Sequence, residues 1–504
     1  MLVSPDFTEF EAAYKAGHAQ VISTRMIADL ETPVSAMMKL ANGEPNSFLL
    51  ESVEGGAIRG RFSFLGMKPD LIWRCFGNRA EINRKALENA DTYSPCPISD
   101  SAGVLASFRQ VLADSRIELP EDLPPMAAGL FGYMEYDTVR LAEDIPDDNP
   151  ANIDVPDGMY VRPTIIAVFD SIEDRVTVVT PVWPDDAVTV QQAYDSGLSR
   201  LEDVLDDFDK PIPRQLEATT QPAEFPEPAS NMTRDQFCAM VDRAKEYILA
   251  GDIFQVVLSQ QFSVPFELAP FTFYRALRRI NPSPFLFFLD FGKFSIVGSS
   301  PEILVRLRDN KVTIRPLAGT RPRGASAGED KALADDLLND PKELAEHLML
   351  LDLGRNDVGR VAKIGSVEVT DQMVIEHYSH VMHIVSNVEG EIDPKYDAID
   401  ALLSGFPAGT VSGAPKVRAM EIIEELEDLR RGIYAGCIGY FGANGDMDTC
   451  IALRTAIIKD GRLYAQAGAG IVADSIPDSE YEECRNKARA LFRSAQEALQ
   501  FSGS

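Results

Sequence analysis

The sequence predicts an α+β fold in mixed layers, and three observations carry that prediction. Short runs of β-branched and aromatic residues follow one another directly, rather than each being separated by a helix. Helical periodicity is confined to separate blocks, each opened by its own start signal. The chain is also long enough for a large core and two or three domains: 504 residues, 45% hydrophobic and 25% charged.

In chain order, GLFGYMEY (129–136), TIIAVFD (164–170) and RVTVVTPVW (175–183) read as strands, and 102–114 and 187–208 as helices. They predict an N-terminal α+β domain over 1–210. The stretch 211–230 is rich in Pro, Glu and Thr and poor in large apolar residues, so it reads as a linker. A second domain follows over 231–504. Thr233 is placed to cap a helix running to about Ala250, with Phe237, Met240, Val241, Ala244 and Ile248 at helical spacing. IFQVVLSQQFSV (253–264), FLFFLDFG (285–292) and FSIVGSS (294–300) read as strands. The run 302–317 reads as a pair of strands joined at an Asp309-Asn310 turn. Helices are expected over 329–351, 415–427 and 479–499, and further strands at 383–392, 435–443 and 450–472. No repeat at a solenoid period is present.

The formal net charge is −30, from 48 Lys and Arg against 78 Asp and Glu. Nucleic acid is thereby excluded as a partner, since phosphate binding needs a basic surface and no Lys/Arg-rich run exists. An anionic ligand would need local cations or a metal. The six cysteines are scattered without metal or redox spacing, which points to reduced thiols in the cytoplasm. The first twenty residues contain Asp6, Glu9 and Glu11, so no secretory apolar segment is expected, and no run of apolar residues is long enough to span a membrane.

The most informative stretch is DSIPDSEYEECRNK (474–487). Glu480 and Glu483 lie three apart, just past a helix-start signal at Pro477-Asp478, so they share one helical face. Glu343 and Glu346 in DPKELAEH repeat the arrangement after Asp340-Pro341. Two such helices can converge on one hard cation such as magnesium; either pair alone equally serves to complement a helix dipole in water. GFPAGTVSGAPK (405–416) is a Gly-rich loop opening a helix. It is an anion-binding arrangement or simply a tight loop, and it lacks P-loop spacing. The Gly468-Ala469-Gly470 run lets a ligand approach the backbone. Read locally, Glu302 is a turn residue after Ser-Pro, and the histidines within 347–383 are core or helix-end hydrogen-bonding groups.

DPKELAEHLMLLDLGRND, HVMHIVSNVEG, FPAGTVSGAPK, CIALRTA and GAGIVADSIPDSEYEE, in this order, resemble the chorismate-utilising enzyme family over nearly all of 231–500. SFLLES and GLFGYMEYD carry a looser match in the N-terminal half. The resemblance implies largely antiparallel sheets packed in layers with helices outside. It implies Mg2+ held by Glu343, Glu346, Glu480 and Glu483, gripping the ring carboxylate of chorismate. Four direct carboxylate ligands would leave the site near −2, and a unit pair at 4 Å in an effective dielectric near 20 is worth about 4 kcal/mol. Some of the four are therefore expected to act through water. The resemblance further makes Glu302 the general acid for the departing ring hydroxyl, ties His383 to pyruvate loss, and sets Thr410 near the same ring face. Tyr434, Arg454 and the backbone of Gly468, Ala469 and Gly470 become contacts of the enolpyruvyl carboxylate. Lys487 supplies compensating charge, and Gly319 and Thr320 join the substrate site.

Two positions separate branches of the family. Gln255 stands where water-adding relatives carry a lysine base, and Ala318 of PLAGT stands where aminodeoxychorismate synthases carry a nucleophilic lysine. Both favour attack by ammonia at ring carbon 2 and pyruvate elimination, the activity of the anthranilate synthase large subunit, a lyase of tryptophan biosynthesis. No Cys sits in a Gly-rich nucleophile elbow, and the resemblance implies a separate glutamine amidotransferase subunit that delivers ammonia in a hetero-oligomer. Leu50, Glu51, Ser52, Pro284, Leu286, Ile438 and Tyr440 resemble the family's tryptophan feedback site. The nearest alternative is an aminodeoxychorismate synthase component I. An alternative of another class is a catalytically silent, tryptophan-sensing binding subunit.

Overall fold

The structure is a computed structural model that describes residues 2–54, 58–213, 225–378 and 381–501. Residues 214–224 of the expected linker, and His380, lie outside the described residues.

Strand pairing among the described residues is antiparallel throughout. Its spine is a long hairpin-like pair, Ile58–Phe76 against Gly158–Asp170, registered from Phe62↔Asp170 to Cys75↔Gly158. From one side of it a sheet runs through Ser47–Glu54, Phe285–Asp290, Phe294–Ser300, Thr455–Lys459, Arg462–Ile471 and Gln255–Pro265. From the other side a second sheet runs through Gly129–Met134, Cys437–Gly442, Met447–Ile451, Ile303–Arg308 and Lys311–Ile314 to Val381–Glu391. The last strand also pairs with Leu317–Pro322 and Glu368–His377.

The segments on either side of 211–230 therefore share both sheets: Leu50 is registered opposite Phe287, and Tyr133 opposite Ile438. That stretch divides the chain, not the hydrogen-bonded sheet. One core cluster holds Phe48, Phe131, Tyr133, Phe287 and Ile438, contributed by both segments. Helices cover the outer faces. Pro270–Ile280 and Pro477–Phe501 pack on the first sheet, and Pro341–Gly359 and Val104–Ala113 belong to the second sheet's core.

Local chemistry explains most boundaries. Thr233 caps Arg234–Ala250 in a reciprocal capping box with Gln236, and Gly251 closes the helix at φ +86°. Asp309 and Asn310 both take left-handed φ (51° and 61°), as a two-residue hairpin turn requires. The helix expected over 329–351 is two helices, Ala327–Leu338 and Pro341–Gly359. Asp340 caps the second by accepting from Lys342 N at 3.0 Å, and Pro341 cannot continue the first. The strands Leu317–Pro322 and Glu368–His377 carry no clean alternation, and both show register shifts against Val381–Glu391.

Candidate active site

A cavity of about 570 Å3 opens where the helices Pro341–Gly359 and Pro477–Phe501 meet the strands Gln255–Pro265 and Arg462–Ile471. Every catalytic, substrate-binding and metal residue expected from the sequence lines it, except Ala469. Ala469 lies on the opposite face of its strand, packed in a core cluster with Phe237, Val256 and Leu258. Strand alternation sends Gly468 and Gly470 one way and Ala469 the other.

Glu302 follows the strand Phe294–Ser300 and is 5% exposed. Its Oε1 accepts from Thr410 Oγ1 at 2.9 Å. Burial pushes its carboxyl up to about 8, outweighing the hydrogen bonds from Thr410 and the Leu317 backbone and the charge of Arg454, which all pull it down. At neutral pH Glu302 is a carboxylic acid with a proton to give. His383 is registered opposite Thr320 on one side and Glu376 on the other. Burial lowers its ring to about 4, so the imidazole is neutral. Its Nδ1 lies 3.1 Å from Gly319 O and 3.0 Å from Thr320 Oγ1. A carbonyl only accepts, so Nδ1 carries the hydrogen and Nε2 is left as a base. The Tyr378 ring meets the imidazole edge-on at 5.3 Å.

Glu343 and Glu346 sit in the first turns of Pro341–Gly359, and Glu480 and Glu483 in those of Pro477–Phe501. Spacing of three turns each pair toward the cavity. Glu346 is raised by burial and then by the charges of Glu343 and, more weakly, Glu483; Glu480 is raised by burial. Cations answer this charge, among them Lys342, which acts on Glu480 from the same cavity. Lys487 Nζ lies 2.7 Å from Glu483 Oε1 and donates to Gly468 O at 2.9 Å. Arg321 reaches Glu343 Oε1 at 3.2 Å and Asp340 Oδ2 at 2.7 Å. Among the described residues, no three acidic, His or Cys side chains stand close enough together to ligate one ion directly.

The strand Arg462–Ile471 pairs with Thr455–Lys459 only as far as Ala465, so beyond that point, among the described residues, no strand covers this backbone edge, where Lys487 Nζ takes Gly468 O and the rest can face a ligand. A Cβ on Gly468 would stand 2.8 Å from Tyr434 Oη and 2.8 Å from Leu258 O, and one on Gly470 would stand 2.4 Å from Gln255 Nε2. Glycine is therefore required at Gly468, where the backbone of Leu258 blocks a Cβ, while at Gly470 a Cβ would displace only the end of the Gln255 side chain. Arg454 holds a left-handed backbone at φ 47° and, among the described residues, has no carboxylate within ion-pair distance. A half-buried guanidinium with no ion-pair partner among the described residues, facing a cavity, is a ready anion site.

A second cavity, of about 1070 Å3, is lined by all the positions expected for an inhibitor: Leu50, Glu51, Ser52, Pro284, Leu286, Ile438 and Tyr440. Two of them contribute differently from the rest. The Glu51 carboxylate is taken up by Tyr274 Oη at 2.5 Å and Arg278 Nε at 2.6 Å, and Leu286 packs in the same core cluster as Tyr274. Glu51 is a strut between strand and helix. The two cavities share Pro301, Glu302 and Leu317 as lining residues.

Sequence reasoning missed Arg321, the partner of Glu343, and Gln466, which lines the first cavity. Gln466 had a signal: in AQAGAG it shares strand parity with Gly468 and Gly470. Arg321 had none, since its partners come from a helix start twenty residues away.

Comparison with known proteins gives the family. The family described as chorismate binding enzyme matches residues 60–493. The chain is 56% identical to anthranilate synthase component 1 of Cereibacter sphaeroides over 496 residues, 98% of either chain. It is 48% identical to the Pseudomonas putida protein of the same name, over 98% of this chain and 99% of that one. Among solved structures, anthranilate synthase component I from Streptococcus pneumoniae superposes with a TM-score of 0.74 at 37% identity, covering 93% of this chain and 99% of that one. The chain belongs to the chorismate binding enzymes, in the anthranilate synthase component 1 family.

Proposed function

We propose that this chain converts chorismate and ammonia to anthranilate and pyruvate, as the component 1 lyase of an anthranilate synthase. The observation that carries the reading is one cavity lined by both a buried Glu302, held by Thr410 Oγ1, and a buried His383, whose Nδ1 faces Gly319 O; burial pushes the carboxyl up and the imidazole down, which suits an acid beside a base. Glu302 gives its proton to the ring hydroxyl that departs as water when ammonia attacks ring carbon 2. His383 Nε2 then takes the proton from that carbon as the C–O bond to the enolpyruvyl group breaks and the ring becomes aromatic; the departing enolate gains a proton at its methylene carbon to become pyruvate. Thr410 holds the Glu302 carboxyl in place. Arg454, Tyr434 and the backbone edge at Gly468 and Gly470 bind the enolpyruvyl carboxylate.

Glu343, Glu346, Glu480 and Glu483 would hold Mg2+. The all-oxygen donor set, lining one cavity from two helices, fits a hard cation that keeps several waters. The ion, when bound, offsets the charge of the substrate's ring carboxylate. Tryptophan is assigned to the second cavity as feedback inhibitor. A component 2 partner, a glutamine amidotransferase, supplies the ammonia. The six free thiols suit a reducing, cytoplasmic setting.

Mass analysis of the product from chorismate, ammonium and magnesium tests the assignment. Anthranilate is expected. A 4-amino product that keeps its enolpyruvyl group would instead indicate an aminodeoxychorismate synthase, a reading that the buried Ala318 disfavours because it offers no nucleophile.

A further inference from the structure

Behind the cavity lies a charge pair that has no part in the chemistry above. Arg431 and Glu427 are 3% and 6% exposed and 2.6 Å apart. A buried ion pair adds little stability over well-packed apolar residues, because desolvation offsets the attraction. A guanidinium does supply directed donors in a rigid fork. Arg431 Nη1 donates to Val411 O at 2.6 Å, and Nη2 donates to Val257 O and Glu427 Oε1, each at 2.6 Å. Glu427 Oε1 also accepts from Ser259 N and Ser259 Oγ, both at 2.8 Å. Ser259 Oγ in turn lies 2.8 Å from Gln466 Nε2.

The donors and acceptors along this chain have one consistent assignment. A carboxylate cannot donate, so the Ser259 hydroxyl hydrogen points at Glu427. Its lone pairs are then left for the Gln466 amide N–H, which turns Gln466 Oε1 the other way. That oxygen is buried without a partner among the described residues. An unsatisfied buried acceptor in a cavity-lining residue calls for a donor brought by a ligand. On the other arm, Val411 directly follows Thr410, whose hydroxyl holds Glu302. Val257, Val411 and Gln466 all line the cavity.

We propose that the Glu427–Arg431 pair is a positioning device for the active site. Its Arg arm sets Thr410 over Glu302, and its Glu arm, through Ser259, orients the Gln466 amide toward the substrate. The inference rests on the reading of the cavity as the chorismate site.

Arg431→Lys keeps the charge opposite Glu427 but loses the fork that joins Val257 O of a strand to Val411 O of the 3-10 turn Gly409–Val411. It is expected to lower kcat by about tenfold or more while KM for chorismate stays within about twofold. In a Thr410→Val background the same change should cost less than about twofold, because the hydroxyl it positions is already gone. Equal losses in both backgrounds would reduce the Arg arm to a fold brace and overturn the claim. Should Arg431→Lys fail to fold by circular dichroism, Ser259→Ala tests the Glu arm. KM should rise by about threefold or more with kcat within about twofold, and an unchanged KM overturns the proposal. A wild-type protein that makes no anthranilate would count against the functional reading itself, whatever the variants do.

Discussion

Glu302 shows how burial decides the chemistry of a single carboxyl. Two hydrogen bonds and a nearby guanidinium favour the charged form, yet desolvation outweighs them and the group titrates at about 8. Turnover should accordingly fall as pH rises through about 8, and on the acid side as it drops toward about 4, where His383 protonates. Glu302→Gln, which cannot give up a proton, should lower kcat by about 100-fold or more. The same substitution should raise stability at pH 8. The folded state keeps this proton from the ordinary carboxyl value of 4.5 up to about 8, whereas the unfolded chain releases it, so folding weakens as pH climbs through that window. Thermal melts of both proteins at pH 5 and pH 8 measure the difference. Gly468→Ala should raise KM, since its methyl would press on Tyr434 Oη and Leu258 O. Little of this was legible residue by residue. Glu302 reads locally as a turn glutamate because its hydrogen-bond partners, Thr410 and the Leu317 backbone, are remote in sequence. The Gly-Ala-Gly run was readable, but only strand alternation shows that Ala469 faces the core.

Helices Pro341–Gly359 and Pro477–Phe501 are the elements that carry the carboxylate pairs, and both begin where local signals put them. Their faces follow from a spacing of three, so the convergence of Glu343, Glu346, Glu480 and Glu483 was visible in the sequence once the helix starts were. Harder to see was the break at Asn339, because periodicity continues across it and only the Asp340 cap and Pro341 reveal a second helix. Asp340→Ala should cost about 1 kcal/mol through the lost cap, and it also removes one of the carboxylates that hold Arg321 beside Glu343. Glu483→Gln should abolish turnover with the fold intact, as judged by an unchanged melting profile. Near-wild-type activity would remove Glu483 from the metal-binding set.

Across the whole molecule, the two halves of the chain are one set of hydrogen-bonded sheets. Sequence composition marks 211–230 as a boundary, but strand pairing is non-local and leaves no trace in any single segment. Tyr133 opposite Ile438, and Leu50 opposite Phe287, are pairs that no window of sequence contains. The protein should therefore unfold in one cooperative transition, and residues 231–504 expressed alone should lack that transition in calorimetry. The shared sheets also set the two cavities against one wall of Pro301, Glu302 and Leu317. Occupancy of the larger cavity by tryptophan should then both raise the melting temperature and slow turnover. The most direct measurement is anthranilate fluorescence during a magnesium titration of the purified protein with chorismate and ammonium. Signal should grow with the ion and vanish on complete chelation; an undiminished rate in the chelated sample would contradict a metal held by the four glutamates.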